Sequence, residues 1–97
     1  MATVVYSARA LSHLGRAFEL PASANPDAAI AVAGAICSAV ESLAAHPLLG
    51  RRVQGDIREL VISFGQTGYV ALYRFVVPRD EARVLAIRHQ REIGFVP

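Results

Sequence analysis

Between Ile57 and His89 apolar and polar residues alternate with a period of two, interrupted twice by short polar segments. That spacing predicts three consecutive β-strands over 57–64, 69–77 and 82–88. The connections, Gly65-Gln66-Thr67-Gly68 and Pro78-Arg79-Asp80-Glu81, are built from turn formers. The first strand puts Arg58, Leu60, Ile62 and Phe64 on one face, with Ile57, Glu59, Val61 and Ser63 on the other. The second sets Tyr69, Ala71, Tyr73, Phe75 and Val77 against Val70, Leu72, Arg74 and Val76, so both its faces are apolar, as in a central strand. The third alternates Arg83, Leu85 and Ile87 with Val84, Ala86 and Arg88.

Upstream the period lengthens. The β-branched run Thr3–Tyr6 predicts a short strand. Ser7 offers an N-cap, and Ala8, Leu11, Leu14/Gly15 and Phe18 follow at helical spacing, predicting a helix over 8–20 that Pro21 stops. Asn25-Pro26-Asp27 is a helix start with cap, first-turn proline and first-turn acid in place. Ile30, Ala33, Ile36/Cys37, Val40 and Leu43/Ala44 then mark the apolar stripe of a helix to about residue 45. Its alanines and Gly34 suit close approach to the first helix, giving an αα-hairpin. The segment His46–Arg52, with Pro47 and Gly50, is the loop into the sheet. The order is β-α-α-β-β-β over one domain, 1–97. This is an α+β fold, a four-stranded antiparallel sheet covered on one face by the helical hairpin.

A hydrophobic fraction of 54% is high for 97 residues. Either a partner covers exposed apolar surface, or the domain is a tightly packed, alanine-rich one. All ten basic residues are arginine, whose planar fork suits carboxylate or phosphate. Residues 1–50 carry two arginines against three carboxylates, and residues 51–97 carry eight against five, a net of +3. A basic second half is compatible with nucleic acid or an acidic protein. The single Cys37 excludes an internal disulfide and a cysteine-based zinc site, and fits a reducing cytoplasm. It lies on or beside the apolar stripe and reads as a small hydrophobe. No leader is expected to open the chain, and no apolar run is expected to reach the length of a membrane-crossing helix. No metal, cofactor, membrane or small-molecule substrate is expected.

The candidate chemistry lies on the strands. Arg58 opens the first, Arg74 follows Tyr73 in the second, and Arg88 sits beside His89 at the end of the third. Either these cations are paired with carboxylates or they face a ligand. The pair Arg51-Arg52 serves solubility and an ion pair to Asp56 or Glu59, or it is a landing point for phosphate or an acidic protein. His13 reads as a solvated helix residue.

Several segments together carry a resemblance: Ser7 leading an Ala/Leu-rich helix, His46-Pro47-Leu48-Leu49-Gly50-Arg51, Ile57-Arg58-Glu59-Leu60, Gly68–Arg74 and Val84–Glu92. With the element order, they resemble the RelE/ParE superfamily of toxins from type II toxin–antitoxin modules, over essentially the whole chain. No segment is diagnostic alone; the ordered set Arg-x-Leu, Tyr-Arg, Ile-x-His-x-Arg is fairly specific. The resemblance implies a growth-inhibiting toxin associated with plasmid stabilisation and neutralised by a cognate antitoxin. The antitoxin would wrap the outer surfaces of helices 8–20 and 26–45 and a sheet edge. One branch poisons DNA gyrase and performs no chemistry; the other cleaves mRNA on the ribosome. The ending Arg88-His89-Gln90-Arg91-Glu92, the modest charge and the absence of lysine favour the gyrase-directed, ParE-like branch, with no catalytic residue. Target binding would then fall to Arg51, Arg52, Arg58, Arg74, Arg88, His89 and Arg91. The alternative is a ribosome-dependent mRNA endoribonuclease with Arg58, Arg74 and Arg88 as phosphate clamps and His89 as acid or base, oriented by Glu59 or Glu92. A third reading is an inactive member that only binds its antitoxin. An unpaired arginine cluster on one open face would favour the nuclease; paired or divergent arginines would favour a binding scaffold.

Overall fold

A computed structural model describes residues 1–22, 25–64 and 67–89. Strand β1 (Thr3–Tyr6) leads into helices α1 (Ala8–Ala22) and α2 (Pro26–Glu41), and a 3-10 turn over Ser42–Ala44 extends α2. The chain continues through β2 (Arg51–Gln54), β3 (Ile57–Phe64), β4 (Thr67–Val76) and β5 (Glu81–His89). The α+β class is as expected, with the helical hairpin packed on the sheet. The sheet itself differs: it has five strands in the order β1-β5-β4-β3-β2, and it is mixed, because β1 runs parallel to β5. The extra strand is β2, in a stretch expected to be loop. All four of its residues are exposed, so it has no buried face and no hydrophobic alternation to betray it. It is a charged edge strand, a form that resists unwanted pairing.

Both helix starts are built as the sequence suggests. The Asn25 side chain accepts from the N–H groups of Asp27 and Ala28. Ser7 does two jobs: its Oγ accepts from Ala10 N–H at 3.0 Å and donates to the Leu85 carbonyl at 3.1 Å. It therefore ties the start of α1 to β5. We expect Ser7→Ala to cost about 1–2 kcal/mol in a urea melt, since it loses a cap and leaves a carbonyl bare. An unchanged midpoint would refute that double role.

The buried stripes coincide with those expected at Leu14 of α1 and at Ile36, Val40 and Leu43 of the α2 segment, and depart from them at Ala8, Leu11 and Ile30. On α1 the inward positions are Ala10, Leu14 and Ala17, while Leu11 is 54% exposed. On α2 they are Ala29, Val32, Ile36 and Val40, with Ile30 63% exposed. On α1 the most buried positions are alanines and Leu11 is left outside, so hydrophobicity alone mislocates that stripe. Gly34 is not part of the expected close approach: a Cβ built there meets nothing within 4 Å. Helix α1 also runs through Pro21 to Ala22, slightly beyond the expected stop. The continuous stretch Pro26–Ala44, 19 residues of mean hydropathy 1.5, is long and apolar enough by length and composition to cross a bilayer, against expectation. Here its Val32, Ile36, Val40 and Leu43 sit in the core with Leu60, Ile62, Tyr73 and Val84.

Candidate functional site

The ladder fixes which side chains share a face. Pairing Arg58 with Tyr73, and Tyr73 with Val84, places Arg58 on the helix-covered face. Pairing Ile57 with Arg74, and Arg74 with Arg83, places both of those arginines on the far face. Arg88, opposite Val70, is on the far face, and His89, opposite Tyr69, is on the helix side. Arg51, opposite Glu59, joins the far face, and Arg52, opposite Arg58, the helix side. The strand arginines therefore do not assemble into one cluster.

Arg58 is committed to the fold. Its Nη1 donates to the carbonyls of Gly50 at 2.7 Å and Leu48 at 3.3 Å. Beside it the fully buried Tyr73 accepts from Gly50 N–H at 2.8 Å and donates to the Pro47 carbonyl at 2.9 Å. Two neighbouring side chains thus satisfy the backbone of the 47–50 loop, which no ladder reaches. Arg52 Nε similarly donates to the Gly55 carbonyl at 3.1 Å, across a turn in which Gly55 has a φ of 56°.

The far face carries a row of charge. Arg74 Nη2 lies 3.2 Å from Asp56 and Arg83 Nη2 lies 2.8 Å from Glu81, so the two arginines face one another with a carboxylate on each outer flank. Arg51 pairs with Glu59 at 3.1 Å. These pairs are well exposed and add little stability, about 0–1 kcal/mol each. Their value is as a surface: Arg74 Nε is buried with no acceptor among the described residues, and Val61 stands 51% exposed nearby on β3. Arg83 was missed from sequence. It sits two residues after Glu81 on a strand, a spacing that places both on one face and is a legible ion-pair signal.

Burial raises the Tyr73 hydroxyl above the usual tyrosine range, with Gly50 N–H and Arg58 opposing. Tyr6 is raised further, first by burial and then by Cys37 and Glu41. Both folded values lie above the unfolded one, so their contribution is intact below about pH 10 and is lost as pH rises further. We expect a urea midpoint that falls on going from pH 9 to 11 and tyrosinate absorbance that appears with unfolding. Full ionisation at pH 10 in the folded chain would contradict this.

His89 lies edge-on to Tyr69, with ring centroids 5.1 Å apart. The two help to border a cleft between α1 and the end of β5, shared with His13, Arg16 and Arg88. His13 is not simply solvated: its Nδ1 accepts from Ile87 N–H at 3.2 Å. The i, i+3 spacing of His13 and Arg16 on α1 is what places them together. Arg91 lies outside the described residues, as does Glu92.

Residues 4–94 match the family described as the ParE toxin of the type II toxin–antitoxin system parDE. The chain belongs to this family. It is 46% identical over 67 residues to Toxin RelE3 of Caulobacter vibrioides, spanning 69% of this chain and 71% of that protein. It is 35% identical over 74 residues to Toxin RelE1 of the same organism, spanning 76% and 80%. The fold is similar to that of a chain of the chromosomal ParDE TA system from P. aeruginosa, with a TM-score of 0.75 at 19% identity over 92% of this chain and 96% of that one. It is also similar to a chain of the intact E. coli RelBE complex, with a TM-score of 0.58 at 12% identity over 91% and 95%. The protein is thus a type II toxin of the RelE/ParE superfamily.

Proposed function

We propose that this toxin acts by binding its target, DNA gyrase, without catalysis of its own, in the cytoplasm, and that a cognate antitoxin neutralises it. One observation carries the non-catalytic reading. Of the three arginines available as phosphate clamps, Arg58 is locked onto loop carbonyls on the helix side, and Arg74 is ion-paired on the far face. A clamp made of Arg58, Arg74 and Arg88 would have to reach through the sheet. Target contact falls instead to the far face, where Arg51, Arg74, Arg83 and Arg88 surround exposed apolar positions. Purified toxin is expected to block supercoiling by a defined gyrase, and gyrase that works normally at saturating toxin would sink the idea. The antitoxin reading is supported by the relatives solved as ParDE and RelBE complexes and by Leu11 and Ile30, exposed on the outer surfaces of the helical hairpin.

A second reading, the ribosome-dependent endoribonuclease, is favoured by relatives named RelE and by the placement of His89 and Arg88 at a cleft with Arg16 and His13. It expects cleavage of mRNA on programmed ribosomes that is lost in His89→Ala. Wild-type toxin that leaves such mRNA intact would eliminate it.

A further inference from the structure

An arginine pair stands at the centre of the far face. Arg74 and Arg83 lie directly opposite one another where β4 meets β5, and the same row continues outward to Ile57 on β3 and Val5 on β1. Residues so placed have Cβ atoms about 4.5–5.5 Å apart, and like charges at that spacing repel. A carboxylate on each outer flank draws the two guanidinium groups apart, but the two flanks hold unequally. Arg83 meets Glu81 with two donors, Nε at 2.9 Å and Nη2 at 2.8 Å. Arg74 meets Asp56 through Nη2 alone, at 3.2 Å, and its Nε is covered without an acceptor among the described residues. Another arginine pair, Arg52 and Arg58, also faces across the ladder, but those two donate to backbone carbonyls of Gly55 and Gly50. The side chains of Arg74 and Arg83 are 43% and 42% exposed, so their remaining donors are open to a partner.

An anion seated between the two turns their repulsion into a shared attraction and offers Arg74 the acceptor it lacks. The rest of the face decides what kind of anion fits. Arg51, Arg74, Arg83 and Arg88 stand there against Asp56, Glu59 and Glu81, four cations against three carboxylates, a net of +1. A nucleic acid duplex brings a phosphate about every 3.4 Å along each strand, and the three carboxylates oppose it. A single carboxylate meets no such opposition, and its neighbours find apolar surface. Val5, Ile57 and Leu72 are half-buried around the pair, and Val61 on the same face is 51% exposed. We propose that this face receives an acidic side chain of a protein partner, its carboxylate held between Arg74 and Arg83 and its apolar neighbours laid on the strand residues around them. Under the gyrase reading, on which this rests, the group recognised is an aspartate or glutamate of gyrase flanked by apolar residues.

The test measures binding of the full chain to purified gyrase by calorimetry, with a urea midpoint for each variant as the control for folding. Arg74→Ala and Arg83→Ala are each expected to weaken gyrase binding about tenfold. Together they should lose less than the product of the two, because they share one carboxylate. Asp56→Asn, at a side chain 66% exposed and so tolerant of change, releases Arg74 from its own carboxylate and should tighten binding about threefold. Arg9→Ala, at an exposed arginine of α1, should change it less than about twofold. Wild-type toxin that does not bind gyrase overturns the gyrase reading and this assignment with it. Wild-type binding that survives both Arg74→Ala and Arg83→Ala, or that Asp56→Asn weakens, overturns the assignment and leaves the gyrase reading standing. A short DNA duplex that competes with gyrase through the same two arginines also overturns it, by making the ligand a phosphate.

Discussion

Replacing Tyr73 by alanine is expected to leave the toxin largely unfolded at room temperature. The side chain is fully buried at the centre of the sheet, among Ile36, Val40, Leu43 and Val84. Truncating a buried aromatic residue costs about 3–5 kcal/mol. The lost hydroxyl adds to that, because Gly50 N–H and the Pro47 carbonyl lose their partner, at about 1–3 kcal/mol for each group left unsatisfied. Against a total stability of about 5–15 kcal/mol for a domain, the sum approaches the whole. Urea denaturation followed by circular dichroism measures it. Tyr73→Phe separates the two parts, keeping the ring and losing only the hydroxyl, and should cost about 2 kcal/mol. A phenylalanine variant as stable as the parent would mean that the hydroxyl does not hold the 47–50 loop. Arg58→Ala in the same background should be non-additive by about 0.5–3 kcal/mol, since both residues brace that loop. A loss of toxicity in Arg58→Ala should therefore track a loss of stability, and restoring stability elsewhere should restore toxicity.

Tyr73 and Arg74 are adjacent, and strand alternation alone sends one to the core and the other to the far face, as found. The same alternation could not say that Arg58 shares the face of Tyr73, because facing across strands depends on register, and register is set by pairings remote in sequence. The family resemblance covered the element order and the toxin assignment, but it carried Arg58 as a target-facing cation, where the structure uses it as a loop brace. Strand β2 and the inward turn of His13 escaped notice for the same physical reason. Both are polar segments satisfied by hydrogen bonds, to β3 and to Ile87 respectively, and hydropathy has no signal for a polar group that is satisfied locally. Leu11 and Ile30 misled in the other direction, as large apolar residues that stand exposed beside the buried stripes. Their exposure leaves apolar surface on the helical hairpin, one of the two outcomes that a 54% hydrophobic composition left open.

Gly50→Ala should be strongly destabilising, although it adds a single methyl group. A Cβ at this position would lie 2.7 Å from Tyr73 Cε1, 2.9 Å from its hydroxyl oxygen and 2.8 Å from the Glu59 carbonyl oxygen. The requirement is for space, not for a left-handed backbone. Tyr73 cannot move aside, because its ring fills the core and its hydroxyl holds Pro47 and Gly50 itself. Glu59 cannot move aside either, since its backbone is in the β3 ladder, opposite Leu72 on one side and Arg51 on the other. Relief has to come from displacing residues 47–50, which breaks the Tyr73 and Arg58 hydrogen bonds and frays the β2 edge where Arg51 begins. Overpacking of a tight site costs about 1–3 kcal/mol, and the broken loop bonds should carry the total to about 3 kcal/mol or more. Pairing Gly50→Ala with Tyr73→Phe removes one of the three clashes and two of the bonds at stake, so the double variant should be less destabilised than the two single losses added together. Strict additivity in urea melts would show that the loop is not braced by the tyrosine. If toxicity then fails in Gly50→Ala only in proportion to the unfolded fraction, the loop is scaffold; if the folded fraction has also lost activity, the exposed Leu48 and Leu49 that this loop presents belong to the surface that meets the target.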